Sequence, residues 1–239
     1  MEILMVKPTD NLVDAIYADL RLKLQRSEIS PSGRLVDTEI AASHGISRMP
    51  AREALLRLVA EGYLVGTTRG FAVRELSLED ISGLFEVRRQ LEPRAAASAA
   101  RDMTPEIEAE LTWAMTGIEQ ALDTTDISAL LAANVDFRNA WLKAVNNAHM
   151  AATIVRFIDY FQSVRLGTFA NATTSEQYIE GLSRIHKAFL AHDPLMVQDR
   201  MMLFMFAAEE AYLAVRRRQL EEALAMRPTR RRTIRRGTA

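Results

Sequence analysis

Two arginines one helical turn apart are the residues whose type and spacing most clearly predict chemistry. Arg48 and Arg52 follow Ser47 in the run Ser-Arg-Met-Pro-Ala-Arg. Side chains four residues apart share one face of a helix. An arginine there can donate two hydrogen bonds to guanine O6 and N7 in the major groove, while Ser47 and the amides at the helix start can bind phosphate. The pattern predicts contact with DNA, and the alternative is a pair of ordinary solvated charges.

Short helices with tight turns must position these arginines. Periodic apolar residues predict a first helix over residues 10–26. Asp37 is expected to cap a short second helix that stops at Gly45, and Ser47 is expected to cap a third helix that ends near Gly62. Two helices joined by a turn of three or four residues form a helix-turn-helix.

A β-hairpin is predicted directly after the third helix. Residues 63–65 and 71–73 have the composition of two short strands, and the polar turn between them is rich in glycine. Arg69 at the tip can enter the minor groove, where Gly70 lets the backbone approach closely. Residues 1–74 are therefore predicted to form a winged helix-turn-helix domain.

The remainder of the chain has a different composition and charge. Residues 75–226 carry a net charge of −8, whereas residues 1–74 carry +1 and the last 13 residues carry +6. Start signals such as Ser77, Thr104 and Thr174 predict six or seven helices, one of them over residues 148–169, and no strand. The expected fold class is mainly α: a winged domain, an all-α antiparallel helical bundle over residues 75–226, and a basic disordered tail over residues 227–239. The bundle should repel polyanions, so DNA contact is confined to the first domain or the tail.

Composition and motifs exclude several classes of protein. The chain has no cysteine, which rules out thiolate catalysis and cysteine-ligated metal centres. Signatures of nucleotide-binding, zinc-protease, hydrolase and di-iron enzymes are missing, so we expect no enzyme activity. No signal sequence and no apolar stretch of about 18 residues is found. A soluble cytoplasmic protein without membrane contact is expected.

The first domain resembles the DNA-binding domain of the GntR family of bacterial transcription regulators. The similarity is carried by Gly-Ile-Ser-Arg-Met-Pro-Ala-Arg-Glu-Ala-Leu over residues 45–55 and Ala-Glu-Gly-Tyr-Leu over residues 60–64. The resemblance implies a homodimer on a short palindromic operator. It places Thr38 where an arginine often contacts phosphate, and Met49 where a threonine is usual and only an apolar contact remains. The implied DNA-contact set is Thr38, Ser47, Arg48, Met49, Arg52, Arg69 and Gly70.

The second domain resembles the FCD effector domain of the FadR subfamily, beginning with Leu-Phe-Glu-Val-Arg-Arg-Gln-Leu-Glu-Pro over residues 84–93. The resemblance implies control by a small carboxylic acid. Many FCD domains hold a divalent metal through Asp and His one turn apart and two later His. Here Asn134 and Arg138 stand at the first pair, His186 matches one later ligand, and Phe204 falls near the last. Because an arginine cannot bind a metal, we expect no metal cofactor.

Arg138 supports a sharper hypothesis about the effector. Its positive charge can replace that of the metal and pair directly with the carboxylate of a small acid, helped by Asn134, His186 and Arg88. The sequence therefore predicts a ligand-responsive, dimeric transcription regulator.

Two alternatives to this function remain open. Arg138 could instead form an internal ion pair with Glu92 or Asp136, leaving a regulator with a vestigial effector pocket. An enzyme housed in the helical bundle is the other alternative. Trp113 and Trp141 are expected in the core or in a pocket wall.

Overall fold

A computed structural model places a small mixed domain before a helical bundle, and it describes residues 8–26, 28–30, 33–160, 168–169 and 171–225. The first domain contains α1 (Pro8–Gln25), β1 (Arg34–Leu35), α2 (Asp37–His44), α3 (Arg48–Ala60), β2 (Leu64–Thr67) and β3 (Gly70–Val73). The bundle contains α4 (Leu78–Arg101), α5 (Pro105–Asp123), α6 (Ile127–Lys143), α7 (Ala148–Asp159), α8 (Ala172–Leu190) and α9 (Pro194–Ala225). The predicted fold class is confirmed. The predicted tail over residues 227–239 lies outside the described residues.

The first domain packs its three helices and a small sheet around one apolar core. Helices α1 and α2 both contact α3, the helix that carries the two arginines. The buried core includes Leu20 from α1 and Leu55 and Leu58 from α3. Because burial of these side chains removes apolar surface from water, α3 is held with its amino end at the surface.

The sheet contains the predicted hairpin and one strand that the sequence analysis missed. Strands β2 and β3 are antiparallel, and β1 pairs with the other edge of β3, giving the order β1-β3-β2. Only Arg34 and Leu35 belong to β1, and two residues are too few to show an alternating pattern. The third strand anchors the wing to the segment that precedes α2.

The turn between α2 and α3 forms largely as predicted. Gly45 has φ 63° and ends α2 in the left-handed conformation, which glycine adopts without steric cost. Ser47 is the residue before α3. The prediction that Asp37 caps α2 is wrong, because Val36 occupies the cap position and Asp37 is the first helical residue. Its side chain is used elsewhere, as described below.

Local capping determines where most bundle helices begin. Ser77 and Asp80 form the reciprocal hydrogen bonds of a capping box at the start of α4, and Thr104 and Asp126 cap α5 and α6. The predicted start of α8 at Thr174 is displaced, because Asn171 accepts the capping hydrogen bond from the Thr174 amide. Helix α7 ends at Asp159, before the predicted end at residue 169, and residues 161–167 lie outside the described part.

The bundle packs α4 against α9 and α5 against α6, with α8 against both α5 and α9. Its core includes the fully buried Phe85 and Phe189. Trp141 is buried as predicted, but the prediction for Trp113 is wrong, since this side chain is 70% exposed. Among the described residues, no helix is long and apolar enough to span a membrane.

Candidate DNA interface and bundle cavity

The amino end of α3 presents three exposed side chains to solvent. Arg48 and Arg52 are 60% and 47% exposed, and Met49 between them is 69% exposed. Pro50 and Ala51 point inward and are buried, so the helix face that carries the arginines is fixed by packing. Ser47 is exposed and makes no side-chain capping hydrogen bond.

A single buried carboxylate holds both arginines. Asp37 Oδ2 accepts hydrogen bonds from Arg48 Nε at 2.9 Å and from Arg52 Nη1 at 3.2 Å. Asp37 is only 5% exposed. Burial by itself raises the pKa of this carboxyl, but the hydrogen bonds and charges of the two arginines outweigh burial and lower the pKa below its ordinary value. Asp37 is therefore an ionised anchor that orients both guanidinium groups before DNA arrives.

Sequence reasoning missed this role of Asp37. An aspartate at the start of a helix is the ordinary signal of a cap, and nothing local in the sequence distinguishes the two roles. Arg48 and Arg52 lie 11 and 15 residues after Asp37 in the chain. They contact Asp37 only because the turn at Gly45 places α3 beside α2. Proximity in the fold, not a motif, identifies Asp37 as a positioning residue.

The hairpin of β2 and β3, the wing of this domain, faces the recognition helix α3 across an open groove. Arg48, Arg52, Arg69 and Gly70 line this groove together with Asp37. The structure thus brings together four of the seven predicted DNA-contact residues. The other three, Thr38, Ser47 and Met49, are exposed on α2 and at the start of α3.

Gly70 is required by a close contact with β1, whereas the sequence analysis attributed it to a close approach to DNA. Its φ is 120°, and a Cβ atom there would lie 2.5 Å from the carbonyl oxygen of Leu35 in β1. The close approach is therefore within the protein, between β3 and β1. At the tip, Thr67 Oγ1 donates a hydrogen bond to the Gly70 carbonyl at 3.0 Å and accepts one from the Arg69 amide at 3.3 Å, which orders the turn that carries Arg69.

The helical bundle contains a small internal cavity of about 40 Å³, room for roughly three water molecules. Asn134 and Arg138 lie one turn apart on α6, and both are buried, at 7% and 6% exposure. Arg138 Nε also donates a long hydrogen bond of 3.4 Å to Asn139 Oδ1. The lining residues are Arg88, Glu92, Asn134, Phe137, Arg138, Trp141, Tyr178, Leu182, Met201 and Phe204.

Arg88 forms a buried ion pair with Glu92 in the cavity wall. Its Nε donates to Glu92 Oε1, and its Nη2 donates to Glu92 Oε2 at 3.2 Å. Its guanidinium also lies 4.7 Å from the ring centre of Phe85. Burial opposes the charged form, but the carboxylate of Glu92 raises the pKa of Arg88 above its ordinary value. Arg88 is thus engaged by Glu92 while it lines the cavity.

His186 lies outside the cavity lining. Its Nε2 is 3.1 Å from Thr112 Oγ1, and its ring meets the Phe137 ring edge-on at 6.4 Å. Burial lowers the pKa of His186 below its ordinary value, which favours the neutral imidazole. The structure therefore brings Arg88, Asn134 and Arg138 together and separates His186 from them by the ring of Phe137.

The residues at the family's metal position do not fit a divalent metal. Arg138 carries a positive charge and Phe204 has no donor atom, which leaves the amide of Asn134 and the imidazole of His186, and His186 lies outside the cavity lining. Across the described ranges, no group of three or more His, Asp or Glu side chains is placed to hold an ion. The charged side chains that line the cavity are Arg88, Glu92 and Arg138.

A winged helix-turn-helix followed by a helical domain with an internal cavity defines a class of DNA-binding regulators with an effector domain. Residues 12–73 match the family described as bacterial regulatory proteins, gntR family, and residues 83–207 match the FCD domain. The chain belongs to the GntR family of bacterial transcription regulators and carries an FCD domain. The matched families and relatives are transcription regulators, and the prediction that the chain is not an enzyme is confirmed.

Individual regulators share sequence and fold with this chain. The HTH-type transcriptional regulator McbR of Escherichia coli is 33% identical over 123 residues, which is 51% of this chain and 56% of McbR. The chain therefore matches only about half the length of that relative in sequence. The uncharacterized HTH-type transcriptional regulator YdhC of Bacillus subtilis is 25% identical over 76% of this chain and 80% of YdhC.

Solved structures support the same architecture. The structure of E. coli McbR/YncC has a TM-score of 0.76 and 25% sequence identity, and the alignment covers 87% of this chain and 98% of that one. A GntR regulator from Rhodococcus sp. RHA1 has a TM-score of 0.66 at 20% identity, over 84% of this chain and 97% of that chain. The second comparison shows a shared fold.

Proposed function

We propose that this regulator binds a palindromic operator as a homodimer in the cytoplasm and changes its affinity for DNA when a small organic acid enters the bundle cavity, without a metal. The observation that carries the proposal is the buried guanidinium of Arg138 on the cavity wall, one turn from the amide of Asn134. A planar guanidinium binds a carboxylate through two parallel hydrogen bonds. Effector recognition therefore rests on Arg138.

The surroundings of Arg138 favour a small anion. Charges attract more strongly in a buried site than in water, and Phe137 and Trp141 complete an apolar wall around the cavity. Asn134 can donate a further hydrogen bond to a carboxylate oxygen. Arg88 adds little net charge because Glu92 neutralises it.

Dimerisation is supported by the size of the DNA-reading surface. One recognition helix reads only a few base pairs, and two copies reading half-sites one helical turn apart double the recognised sequence. Trp113 on α5 and Leu195 on α9 are 70% and 80% exposed, and both are candidates for burial between two copies of the chain. Sedimentation of the whole chain tests the proposed homodimer, for which we expect a particle with twice the mass of one chain.

Contacts between the two domains can couple effector binding in the bundle to the position of the DNA-binding domain. Arg74 pairs with Asp80 at 3.0 Å, and Arg216 of α9 pairs with Glu75 at 3.0 Å, so the connection between the domains is tied to α4 and α9. Both helices line the cavity through Arg88, Met201 and Phe204. A ligand that shifts these helices reorients the winged domains about residues 74–78.

Operator selection followed by an acid screen tests the proposal. The operator is first selected from random DNA with the full chain, and fluorescence anisotropy then measures its affinity with each acid of a panel. Arg138→Met keeps the length of the side chain and removes the charge, and Arg94→Met is the control because Arg94 is exposed on α4. We expect an acid to change operator affinity for the wild type and for Arg94→Met, with no response from Arg138→Met.

Two results contradict the proposed effector. If Arg138→Met responds to the same acid as the wild type, the guanidinium does not recognise the ligand. If no acid in the panel changes operator affinity, the regulator works with a vestigial pocket.

A further inference from the structure

The internal cavity shares a wall with a second depression on the bundle surface. A groove of about 130 Å³ runs between α8 and α9. Tyr178 and Phe204 line both this groove and the internal cavity. Their rings meet edge-on with centres 4.8 Å apart. Two aromatic side chains are thus shared by the space beside Arg138 and the groove between α8 and α9.

A glycine on α8 creates the space for this wall. A Cβ atom at Gly181 would lie 2.7 Å from Cδ2 of Phe204, so the phenyl ring rests directly against the helix backbone. Phe204 stands where many FCD domains have a metal-binding histidine. The Phe204 ring therefore stands between the cavity and the groove, and a ligand that occupies both spaces must displace it.

The groove has the character of a site for an apolar chain. Its floor and sides include Leu203 and three alanines of α9, Ala207, Ala208 and Ala211. The charged groups Arg184 and Arg200 are 59% and 40% exposed and pair with Glu180 and Asp199. Water is therefore displaced from an alanine-lined surface by any apolar group that enters, which is favourable.

We infer that the two spaces form one binding site for a monocarboxylic acid with an apolar tail. The inference rests on the proposed function: the carboxylate binds Arg138, and the tail passes between Tyr178 and Phe204 into the groove. The internal cavity of about 40 Å³ admits only a short acid, so a longer acid must use the groove. The effector class is therefore an aliphatic or arylaliphatic acid and not a small polar di- or tricarboxylic acid.

Calorimetric titration of the full chain with straight-chain alkanoates from acetate to decanoate tests this inference. Burial of one methylene tightens binding by about fourfold, so affinity should rise by about this factor per carbon once the chain reaches the groove. Ala207→Phe fills the groove from an exposed position, and the matched control is Ala214→Phe at an exposed position of α9 outside the groove lining. We expect Ala207→Phe to retain acetate binding and lose the gain with chain length, while Ala214→Phe behaves as the wild type.

Each remaining outcome overturns the inference in a distinguishable way. If short acids bind through Arg138 but affinity does not increase with chain length, the groove is not a subsite and the proposed function survives. If no alkanoate binds, both the inference and the carboxylate effector are refuted. If Ala207→Phe sediments as a monomer while the wild type and Ala214→Phe are dimers, the groove is an interface between copies of the chain.

Discussion

Replacing Asp37 with asparagine tests whether a buried carboxylate prepares the DNA-reading arginines. The substitution keeps the size of the side chain and removes its charge. In the structure, one oxygen of Asp37 accepts hydrogen bonds from Arg48 at 2.9 Å and from Arg52 at 3.2 Å. The introduced amide would keep at best one weaker acceptor, so both guanidinium groups would become mobile in the unbound protein.

The magnitude follows from the cost of ordering two long side chains. Immobilising each arginine on DNA costs about 0.5–1.5 kcal/mol if it is not already ordered. For Arg48 and Arg52 together, the affinity for each operator half-site should fall by about 1–3 kcal/mol, or about 5- to 150-fold. Removing the negative charge of Asp37 also raises the affinity for DNA of any sequence, because the protein then attracts phosphates more strongly. The ratio of operator binding to non-specific binding should therefore fall.

Fluorescence anisotropy with operator and scrambled duplexes at one salt concentration measures both affinities. Glu39→Gln is the control, because it makes the same charge change at an exposed position of α2. Each arginine is about half exposed, so we expect little loss of stability from Asp37→Asn. If Asp37→Asn binds the operator as tightly as Glu39→Gln or more tightly, Asp37 only neutralises charge and the reasoning is refuted.

The pH dependence of stability provides an independent check on Asp37. Its folded-state pKa is lowered, because the hydrogen bonds of Arg48 and Arg52 outweigh burial. The stabilisation from the ionised carboxylate is therefore complete above the unfolded pKa of about 3.9 and is lost as the pH falls through the lower folded value. Because both arginines are about half exposed and screened by solvent, this loss should be small: in urea denaturation between pH 2 and pH 6 the wild type should lose slightly more stability than Asp37→Asn.

Three further substitutions have defined outcomes. Arg52→Lys keeps the charge but loses the planar pair of donors, so operator affinity should fall by about 1–3 kcal/mol with non-specific binding retained, as measured by anisotropy. Gly70→Ala places a Cβ atom 2.5 Å from the Leu35 carbonyl at φ 120° and should lower the free energy of unfolding of the first domain by about 1–3 kcal/mol in urea denaturation. Tyr160→Phe removes the hydroxyl that donates to the Glu61 carbonyl at 2.6 Å and should lower the free energy of unfolding by about 0.5–1.5 kcal/mol in the same assay.

Controls and contrary results separate these predictions from general damage. Gly66→Ala is the control for Gly70→Ala, since a Cβ atom at Gly66 meets no atom within 4 Å; equal destabilisation of the two variants would contradict the close-approach argument. Unchanged operator affinity in Arg52→Lys would exclude a two-donor contact. Unchanged stability in Tyr160→Phe would show that this contact between the domains contributes nothing.

Most helices of this protein could be predicted because their signals are local. The serine and aspartate of the capping box at Ser77 and the Thr-Pro pair at Thr104 act within one turn of the helix they start. The predicted turn at Gly45 formed for the same reason. Helix α8 started at a different residue from the predicted one: Asn171 and Thr174 are both good caps, and the Asn171 side chain accepts the capping hydrogen bond.

The sequence by itself determined which residues are predicted to contact DNA and an anion. Arg48 and Arg52 were predicted from their type and spacing, because two charges one helical turn apart can be recognised without knowledge of the fold, whereas Arg138 was predicted from the resemblance to the FCD domain. The expectation that no metal binds there came from the same resemblance, since an arginine at position 138 cannot act as a metal ligand.

Only the tertiary structure decided how these residues are used. Asp37 became an anchor for two arginines, and His186 was placed outside the cavity wall. Trp113 became exposed although its large apolar ring favours burial. Each of these outcomes depends on contacts between residues far apart in the chain, and such contacts arise from the packing of whole helices, which no local pattern encodes.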